Sequence, residues 1–377
     1  MAQRIGILST YPSTQCGIAT FCEALADQLV EDGAEVGVVR LVDAPEPLRP
    51  PVVHQWLPGG DAAAVAAVLD TYDVVVVQHE YGIFGGPDGQ DVLDVVARLR
   101  VPVITVTHTV LTDPTLNQRR VLARLVDHSD AVVTMTRTAK DRLVAGWRVD
   151  PRRVSVIPHG AVDNRSASGA RAGRPVVLTW GLLSEGKGIE WALHALADLR
   201  DRTELPRYRV VGQTHPRVRE REGEAYREGL VELTRRLGLT DSVEFDARYL
   251  SGPELREVVR HADVVLLPYD SLEQVTSGVL TEAVAAGKPV ISTRFPHAVE
   301  LLADGAGALV PRRDPAALAD ALEHVLTGPG VAGRMAAASR SAAATLLWPA
   351  VSRAYLDLAA SLVSVSSLVR ADVRSAV

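Results

Sequence analysis

The chain has 377 residues, of which 47% are hydrophobic and 23% are charged, and its formal net charge is -6 at pH 7. These proportions are typical of soluble globular proteins, and at roughly 150 residues per domain the length predicts two domains. The negative charge disfavours a nucleic-acid partner, and no apolar run approaches the ~20 residues of a transmembrane helix.

Short runs rich in Val and Ile alternate with amphipathic segments from the start of the chain. The predicted strands of the first half are Arg4–Ser9, Asp73–Gln78, Pro102–Thr107, Ala131–Thr134 and Val154–Pro158. Helical segments lie between them at Ala19–Glu31, Gln90–Arg98 and Leu116–His128. Apolar strands that alternate with helices indicate a parallel sheet covered on both faces, hence a doubly wound α/β fold.

The alternation of apolar runs and amphipathic segments stops in a stretch of small and polar residues that includes glycine, and then resumes. The predicted strands of the second half are Val176–Trp180, Tyr208–Gly212, Val243–Phe245, Val264–Leu267 and Val290–Thr293. We predict α/β domains at residues 1–165 and 175–345 and a linker at residues 166–174. A C-terminal helix and tail follow at residues 346–377, and packing against the first domain is one possible arrangement for them.

The opening residues of the chain carry no secretory signal pattern, because the apolar stretch is short and Gly6 interrupts it. Cys16 and Cys22 cannot form a disulfide framework and belong to no Cys-x-x-Cys pair. We therefore expect a cytoplasmic protein with reduced thiols. No Asp-x-Asp pair occurs, so neither a metal ion nor another cofactor is expected.

Candidate ligand-binding residues occur where predicted strands end, which is where open parallel sheets bind ligands. Trp180–Gly188 is a Gly-rich turn in which Lys187 offers a mobile positive charge to a phosphate; the alternative is an ordinary turn with a solvated Lys. In Gln274–Glu282 a Ser-Gly pair begins a helix. Glu282, about one turn into it, would bind the hydroxyls of a ribose; the alternative is a solvent-facing Glu that interacts favourably with the helix dipole.

Three further strand ends carry candidates in the first half. Gly17 would permit a tight turn into the first helix, and His108 ends a strand with equal support for a functional and a structural role. The Gly82–Gly89 loop, with Gly82 and Gly85, is either an acceptor loop or mobile lid, or an ordinary long turn.

Taken in order, these segments resemble a retaining glycosyltransferase of family 4, which has the GT-B architecture of two Rossmann-like domains facing a cleft. Val156–Asp163 resembles the family's I-P-N-G-V-D segment, and Gly181–Gly188 resembles its G-R-L-x-x-x-K-G loop. Gln274–Glu282 occupies the place of its E-x7-E motif, and Ala286–Ile291 is similar to its A-x-G-x-P-V-I signature. The resemblance covers nearly the whole chain.

The resemblance implies a hexose transferred from a UDP- or GDP-sugar to a small carbohydrate or short glycan, without a metal ion. The second domain would bind the donor through Gly181, Lys187, Thr276, Ser277, Gly278 and Glu282. His108, Lys187 and Gln274 would act at the bond that breaks, and the first domain would hold the acceptor near Gly17, Gly82 and Gly85.

Two departures from the family pattern keep alternatives open. Leu182 replaces the Arg of G-R-L, and the loss of a cation that stabilises a leaving diphosphate should be costly unless Arg137, Arg294 or Arg248 replaces it. Gln274 replaces the first Glu, which disfavours a carboxylate nucleophile there and favours a same-face, ion-pair-like displacement. A GT-B phosphorylase, a sugar-nucleotide epimerase and a non-catalytic nucleotide-sugar-binding protein remain alternatives, and the sequence leaves the oligomeric state undetermined.

Overall fold

The computed structural model describes residues 2–165 and 173–375 of the chain, with side chains up to residue 365. The chain divides into two compact units, one formed by the residues up to Gly160 together with a helix from Trp348, the other by Ala161–Leu347. Of the predicted linker, 166–174, only Gly173 and Arg174 lie within the described residues. No helix in the described ranges combines the length and apolar character needed to cross a membrane.

The first unit is built on a seven-stranded parallel sheet in the order β3-β2-β1-β4-β5-β6-β7. The strands are β1 Arg4–Ser9, β2 Glu35–Leu41, β3 Val52–Trp56, β4 Val74–His79, β5 Val103–Thr107, β6 Ala131–Thr134 and β7 Val154–Val156. Every residue of β4, β5 and β6 is buried, as expected of strands covered on both faces. The doubly wound parallel α/β class predicted for this half is confirmed.

Helices cover both faces of this sheet, and most of them begin at a side-chain cap. They are α1 Gly17–Glu31, α2 Ala62–Leu69, α3 Val92–Val96, α4 Leu116–Asp127 and α5 Arg137–Trp147. Thr115 and Gln118 form a capping box at the start of α4, and Thr136 caps α5 through its hydroxyl. The helix predicted over Gln90–Arg98 is shorter in the structure, at Val92–Val96, and a 3₁₀ turn at Pro87–Gly89 precedes it.

The second unit is a six-stranded parallel sheet in the order β10-β9-β8-β11-β12-β13. Its strands are β8 Val176–Trp180, β9 Arg207–Val211, β10 Val243–Asp246, β11 Val264–Leu267, β12 Val290–Thr293 and β13 Gly307–Val310. Its helices are α6 Ile189–Leu199, α7 Pro216–Glu222, α8 Ala225–Arg236, α9 Gly252–His261, α10 Gly278–Ala285, α11 Pro296–Leu301, α12 Pro315–Thr327 and α13 Val331–Ala343. Two apolar clusters, one on each face, form its core.

The last helix, α14 Trp348–Ser375, belongs to the first unit. Trp348, Val351 and Tyr355 are buried in the same apolar cluster as Phe21 and Leu25 of α1. The C-terminal segment therefore completes one face of the first sheet.

Strand order reverses once in each sheet, between β1 and β4 in the first unit and between β8 and β11 in the second. Ligands bind outside the carboxyl ends of the strands at such switch points. In the second unit, the loops that follow β8 and β11 contain Gly181–Gly188 and Gln274–Gly278. The candidate donor-binding residues thus lie at the switch point of their sheet.

Candidate functional site

The loop after β8 is held against the end of β9 and against the segment that follows β11. The N–H of Gly181 donates to the carbonyl of Val211 at 3.0 Å, and the N–H of Asp270 donates to the carbonyl of Gly186 at 2.8 Å. Gly188 has φ of +66°, and a Cβ there would lie 2.0 Å from the carbonyl oxygen of Pro268. Only glycine fits at position 188, so this residue allows the loop to approach β11 closely.

The ammonium of Lys187 lies over the face of an aromatic ring. Its Nζ lies 4.3 Å from the ring centroid of Tyr269, which is fully buried and stacks on Phe295 with centroids 5.3 Å apart. A ring face attracts an ammonium but accepts none of its N–H bonds in ordinary hydrogen-bond geometry. The Lys187 ammonium is therefore placed at the loop with donors that can reach a phosphate oxygen.

His297 fixes the segment that precedes α10. Its Nδ1 accepts a hydrogen bond from the backbone N–H of Ser277 at 2.9 Å, and its own backbone N–H donates to the carbonyl of Gln274 at 3.4 Å. Ser277 in turn caps α10, since its Oγ accepts from the N–H of Leu280 at 3.3 Å. The buried Thr276 Oγ1 has no hydrogen-bond partner. This segment therefore combines a fixed helix start with a buried hydroxyl that lacks a hydrogen-bond partner.

Glu282 lies one turn into α10 and is half-buried. Burial raises the pKa of its carboxyl from 4.5 to about 7, against the opposing effects of a hydrogen bond from the Trp180 side chain and the positive charge of Arg256. The carboxyl is therefore partly protonated near neutral pH. A carboxylate in this position can accept hydrogen bonds from two neighbouring sugar hydroxyls.

The three arginines considered as replacements for the family's G-R-L arginine differ in their surroundings. Arg248 is engaged by Asp246 through two hydrogen bonds of 2.9 and 2.7 Å. Arg294 follows β12 and is exposed, whereas Arg137 is the first residue of α5 in the other unit. Arg294 therefore remains a candidate in the second unit, because it is exposed at the carboxyl end of β12.

His108 of the first unit follows β5 and is joined to the end of β4. Its Nε2 lies 2.7 Å from Oε1 of Gln78, and its backbone N–H donates to the carbonyl of His79 at 3.0 Å. Since a carbonyl oxygen only accepts, Nε2 of His108 carries the proton. The Nδ1 lone pair is then the basic position of this ring.

An aromatic cluster surrounds the His108 ring. Phe21 packs edge-on against it with centroids 5.1 Å apart, and the ring of His159 lies 4.9 Å from Phe21. Desolvation by burial, together with the nearby His159 and His79, lowers the pKa of His108 to about 3. The side chain is therefore neutral across the physiological range, and it can donate or accept a hydrogen bond but carries no charge.

The glycine candidates of the first unit differ in what their positions demand. Gly17 is the first residue of α1, capped by Cys16 Sγ, and a Cβ at Gly17 would meet nothing within 4 Å. The turn therefore does not require glycine there, contrary to the reason given for it. Gly82 donates its N–H to Oε2 of Glu80 at 2.7 Å, and a Cβ at Gly85 would lie 2.5 Å from Oδ2 of Asp91.

The loop that holds these last two glycines is anchored at several points. Phe84 is buried in the apolar cluster under the loop, and Tyr81 is buried beside His79. Asn117 of α4 donates to Oδ2 of Asp88 at 2.7 Å. These contacts fix the loop to the body of the first unit in this structure.

The structure thus groups the candidates by unit. Gly181, Lys187, Gln274, Thr276, Ser277, Gly278 and Glu282 lie at one edge of the second sheet. Gly17, Gly82, Gly85 and His108 lie at the corresponding edge of the first. Among the described residues, no group of three or more His, Cys, Asp or Glu side chains has the geometry of a metal site.

Two supporting residues were missed by the sequence reasoning. Tyr269 and His297 act on Lys187 and Ser277, from which they are separated by 82 and 20 positions along the chain. The available signal was their position, since Tyr269 follows the end of β11 by two residues and His297 follows the end of β12 by four, at the start of α11.

Comparison with known families identifies both halves of the chain. Residues 16–165 match the family model described as Glycosyltransferase Family 4, and residues 174–328 match the one described as Glycosyl transferases group 1. A curated D-inositol 3-phosphate glycosyltransferase from Frankia alni is 30% identical over 292 residues, which cover 71% of this chain and 70% of that protein.

A second relative of the same name, from Corynebacterium diphtheriae, is 32% identical over 60% of this chain and 55% of the relative. For the first curated relatives, the matched part of the chain therefore spans a little over half of their length. Among solved structures, Anabaena HepE in complex with UDP and glucose has a TM-score of 0.73 at 19% identity, covering 96% of this chain and 100% of that one. Sucrose-phosphate synthase from Thermosynechococcus elongatus has a TM-score of 0.74 at 18% identity, over 96% and 100%.

Proposed function

The chain belongs to glycosyltransferase family 4 and has the GT-B fold, and on that premise we propose that it transfers a hexose from a nucleotide-diphosphate sugar to a small carbohydrate acceptor with retention of configuration. The observation that carries the proposal is the arrangement at the switch point of the second sheet. There, one edge holds an ammonium on an aromatic support, a capped helix start and a half-buried carboxyl.

The second unit would hold the donor. Lys187 would pair with the diphosphate, and the N–H groups at the start of α10, near Ser277 and Gly278, would face it with the positive end of the helix dipole. Glu282 would accept hydrogen bonds from the ribose hydroxyls. A diphosphate bound in this way has its charge offset by protein groups, so we propose that the reaction needs no metal ion.

The first unit would hold the acceptor, with Gly17, Gly82 and Gly85 along its binding edge. His108 would lie near the transferred sugar, where its neutral ring can hydrogen-bond a sugar hydroxyl without repelling the positive charge that develops on the sugar. Gln274 can likewise hydrogen-bond sugar hydroxyls but cannot act as a carboxylate nucleophile. Retention would then proceed by same-face displacement, with the departing phosphate accepting the acceptor's proton.

The relatives narrow the substrates to be tried first. HepE was solved with UDP and glucose, which makes UDP-glucose a reasonable first donor, with GDP-hexoses next. The curated relatives are named for D-inositol 3-phosphate, which supports a small polyol or sugar as the acceptor class.

The test is a transfer assay with purified protein, UDP- or GDP-hexoses and a panel of small acceptors, in which release of the nucleoside diphosphate is quantified. The anomeric configuration of the product is then read by NMR. Lys187→Gln should abolish most of the release, and Lys187→Arg should restore part of it because it keeps the charge but alters its geometry. Release that needs added inorganic phosphate would favour a phosphorylase, and inversion at the anomeric carbon would reject the retaining mechanism.

A further inference from the structure

A cavity of about 460 Å³ opens beside the Lys187 loop in the second unit. Its lining combines one residue of that loop with the segment that begins α7: Ser184, His215, Arg217, Val218, Glu220 and Arg221. The proposed function assigns none of these residues a role.

The cavity wall is joined to the Lys187 loop by backbone hydrogen bonds. The N–H of Leu183 donates to the carbonyl of Gln213 at 2.8 Å, and the N–H of His215 donates to the carbonyl of Leu183 at 2.8 Å. A Cβ at Gly212 would lie 2.1 Å from the carbonyl oxygen of Gly181, so the two loops pass too close together for any side chain at position 212. The lining is therefore placed next to the proposed phosphate site by main-chain geometry.

Positive charge is concentrated around this cavity. Arg217 and Arg221 line it. Burial lowers the pKa of His215, and the positive charges of Arg217, Lys187 and Arg221 lower it further. Glu220 also lines the cavity, and it opposes this effect less than Arg217, Lys187 or Arg221 contributes to it. The lining thus keeps a net positive charge.

Two carboxylates follow the lining residues along the chain. Glu222 lies 3.6 Å from Nη2 of Arg221 in an exposed ion pair, which contributes little, and Glu224 is committed elsewhere. Glu224 accepts a hydrogen bond from the hydroxyl of Thr214 and another from Nε of Arg227 at 3.1 Å. The bond to Thr214 connects the start of α8 to the loop after β9, and together the two bonds engage the Glu224 carboxylate. Arg217 and Arg221 outnumber Glu220 in the lining, and an excess of positive charge favours the binding of an anion. Guanidinium groups suit phosphate oxygens in particular.

We propose that this cavity is a second phosphate-binding position, in which Arg217 and Arg221 hold a phosphate group beside Lys187. The inference rests on the proposed function and deepens it. In the Gly181–Gly188 loop, Leu182 stands where the family motif has an arginine. The arginines of the cavity would supply positive charge at the same end of the sheet. The phosphate comes either from the diphosphate of the donor or from a phosphorylated acceptor.

The test measures binding of UDP, GDP and inorganic phosphate by isothermal titration calorimetry to the full-length wild type and to Arg217→Gln/Arg221→Gln. The control is Arg219→Gln/Arg235→Gln, which removes two equally exposed arginines from α7 and α8 but leaves the cavity lining intact. Loss of a charge-assisted hydrogen bond should weaken binding by about tenfold.

The two sources of phosphate give different results. If the donor diphosphate occupies the position, the Kd of the nucleoside diphosphate rises about tenfold in the cavity variant, and phosphate competes with the nucleotide. If an acceptor phosphate does, nucleotide binding is unchanged, and phosphate binds to the nucleotide-saturated wild type but not to the cavity variant. Equal binding of all three probes by the cavity variant and its control would overturn the inference.

Failure of the inference and of the proposed function can be told apart. A wild type that binds phosphate but no nucleotide, with the phosphate lost in the cavity variant, keeps this position and rejects the donor assignment. A wild type that binds a nucleotide as tightly as the cavity variant does, with no phosphate binding of its own, keeps the donor assignment and rejects this position. A wild type that binds none of the three probes rejects both.

Discussion

Replacing Glu282 with Gln should stabilise the free protein at alkaline pH and leave its stability nearly unchanged at acidic pH. The folded chain holds this carboxyl with a pKa of about 7 because burial disfavours its charge, against an ordinary value of 4.5. A carboxyl with a raised pKa binds its proton more tightly in the folded state. Folding is therefore opposed wherever that proton is lost.

The size of the effect follows from the two pKa values. The cost is absent below pH 4.5, where the carboxyl is protonated in both states. It grows as the pH rises from 4.5 to 7 and reaches at most about 3 kcal/mol above pH 7. Glu282→Gln removes the ionisation, so at pH 8.5 it should raise the Tm of a unit of this size by roughly 6–12 °C, and by far less at pH 5.

The assay is thermal unfolding of the wild type and the variant at pH 5 and pH 8.5, with Glu232→Gln as the control. Glu232 is exposed on α8 in the same unit and pairs with Arg235. The same variant should also lose the rise in nucleotide affinity that we expect of the wild type as its carboxyl ionises near pH 7. A Tm difference that is the same at both pH values would refute the reasoning.

Three further predictions concern the supports of the site and His108. Tyr269→Leu should weaken nucleotide binding roughly fivefold by removing the ring under Lys187, whereas Tyr269→Phe should not, and calorimetric titration separates them. His297→Leu should lower the free energy of unfolding by about 1–3 kcal/mol in urea titrations, because the Ser277 N–H loses its acceptor. A variant with the same free energy of unfolding as the wild type would contradict this. His108→Ala should lower kcat far more than it raises the KM for the donor, and the wild-type rate should show no His108 titration between pH 5 and 8, because its pKa is about 3.

The fold class was predictable because most strands of these sheets are short runs rich in Val and Ile that alternate with amphipathic helices. All ten strands predicted from such runs are present in the structure. Three strands, β2, β3 and β13, were missed. β3 carries His and Gln, and β13 is a four-residue segment with a single buried residue, whereas β2 is a Val-rich run like those of the predicted strands.

The candidate site was predictable only in part. Lys187, Ser277 and Glu282 stand in local motifs whose residue types and spacing indicate phosphate and ribose binding. Tyr269 and His297 support them from distant parts of the chain, and only the strand order β8-β11-β12 brings these residues together. The cavity beside α7 likewise depends on a contact between the loops after β8 and β9.

The most direct test of the donor assignment is a thermal-shift panel of the wild type and Lys187→Gln against UDP, GDP, ADP, their hexose conjugates and inorganic phosphate, with Mg²⁺ or with EDTA. A ligand that binds only the folded state at a hundred times its Kd adds about 2.7 kcal/mol of stability. We predict a shift with one nucleoside diphosphate and its sugar conjugate that is unaffected by EDTA and lost in Lys187→Gln. A shift with phosphate alone, or one that survives the loss of Lys187, would contradict the assignment of the second unit as the nucleotide-sugar site.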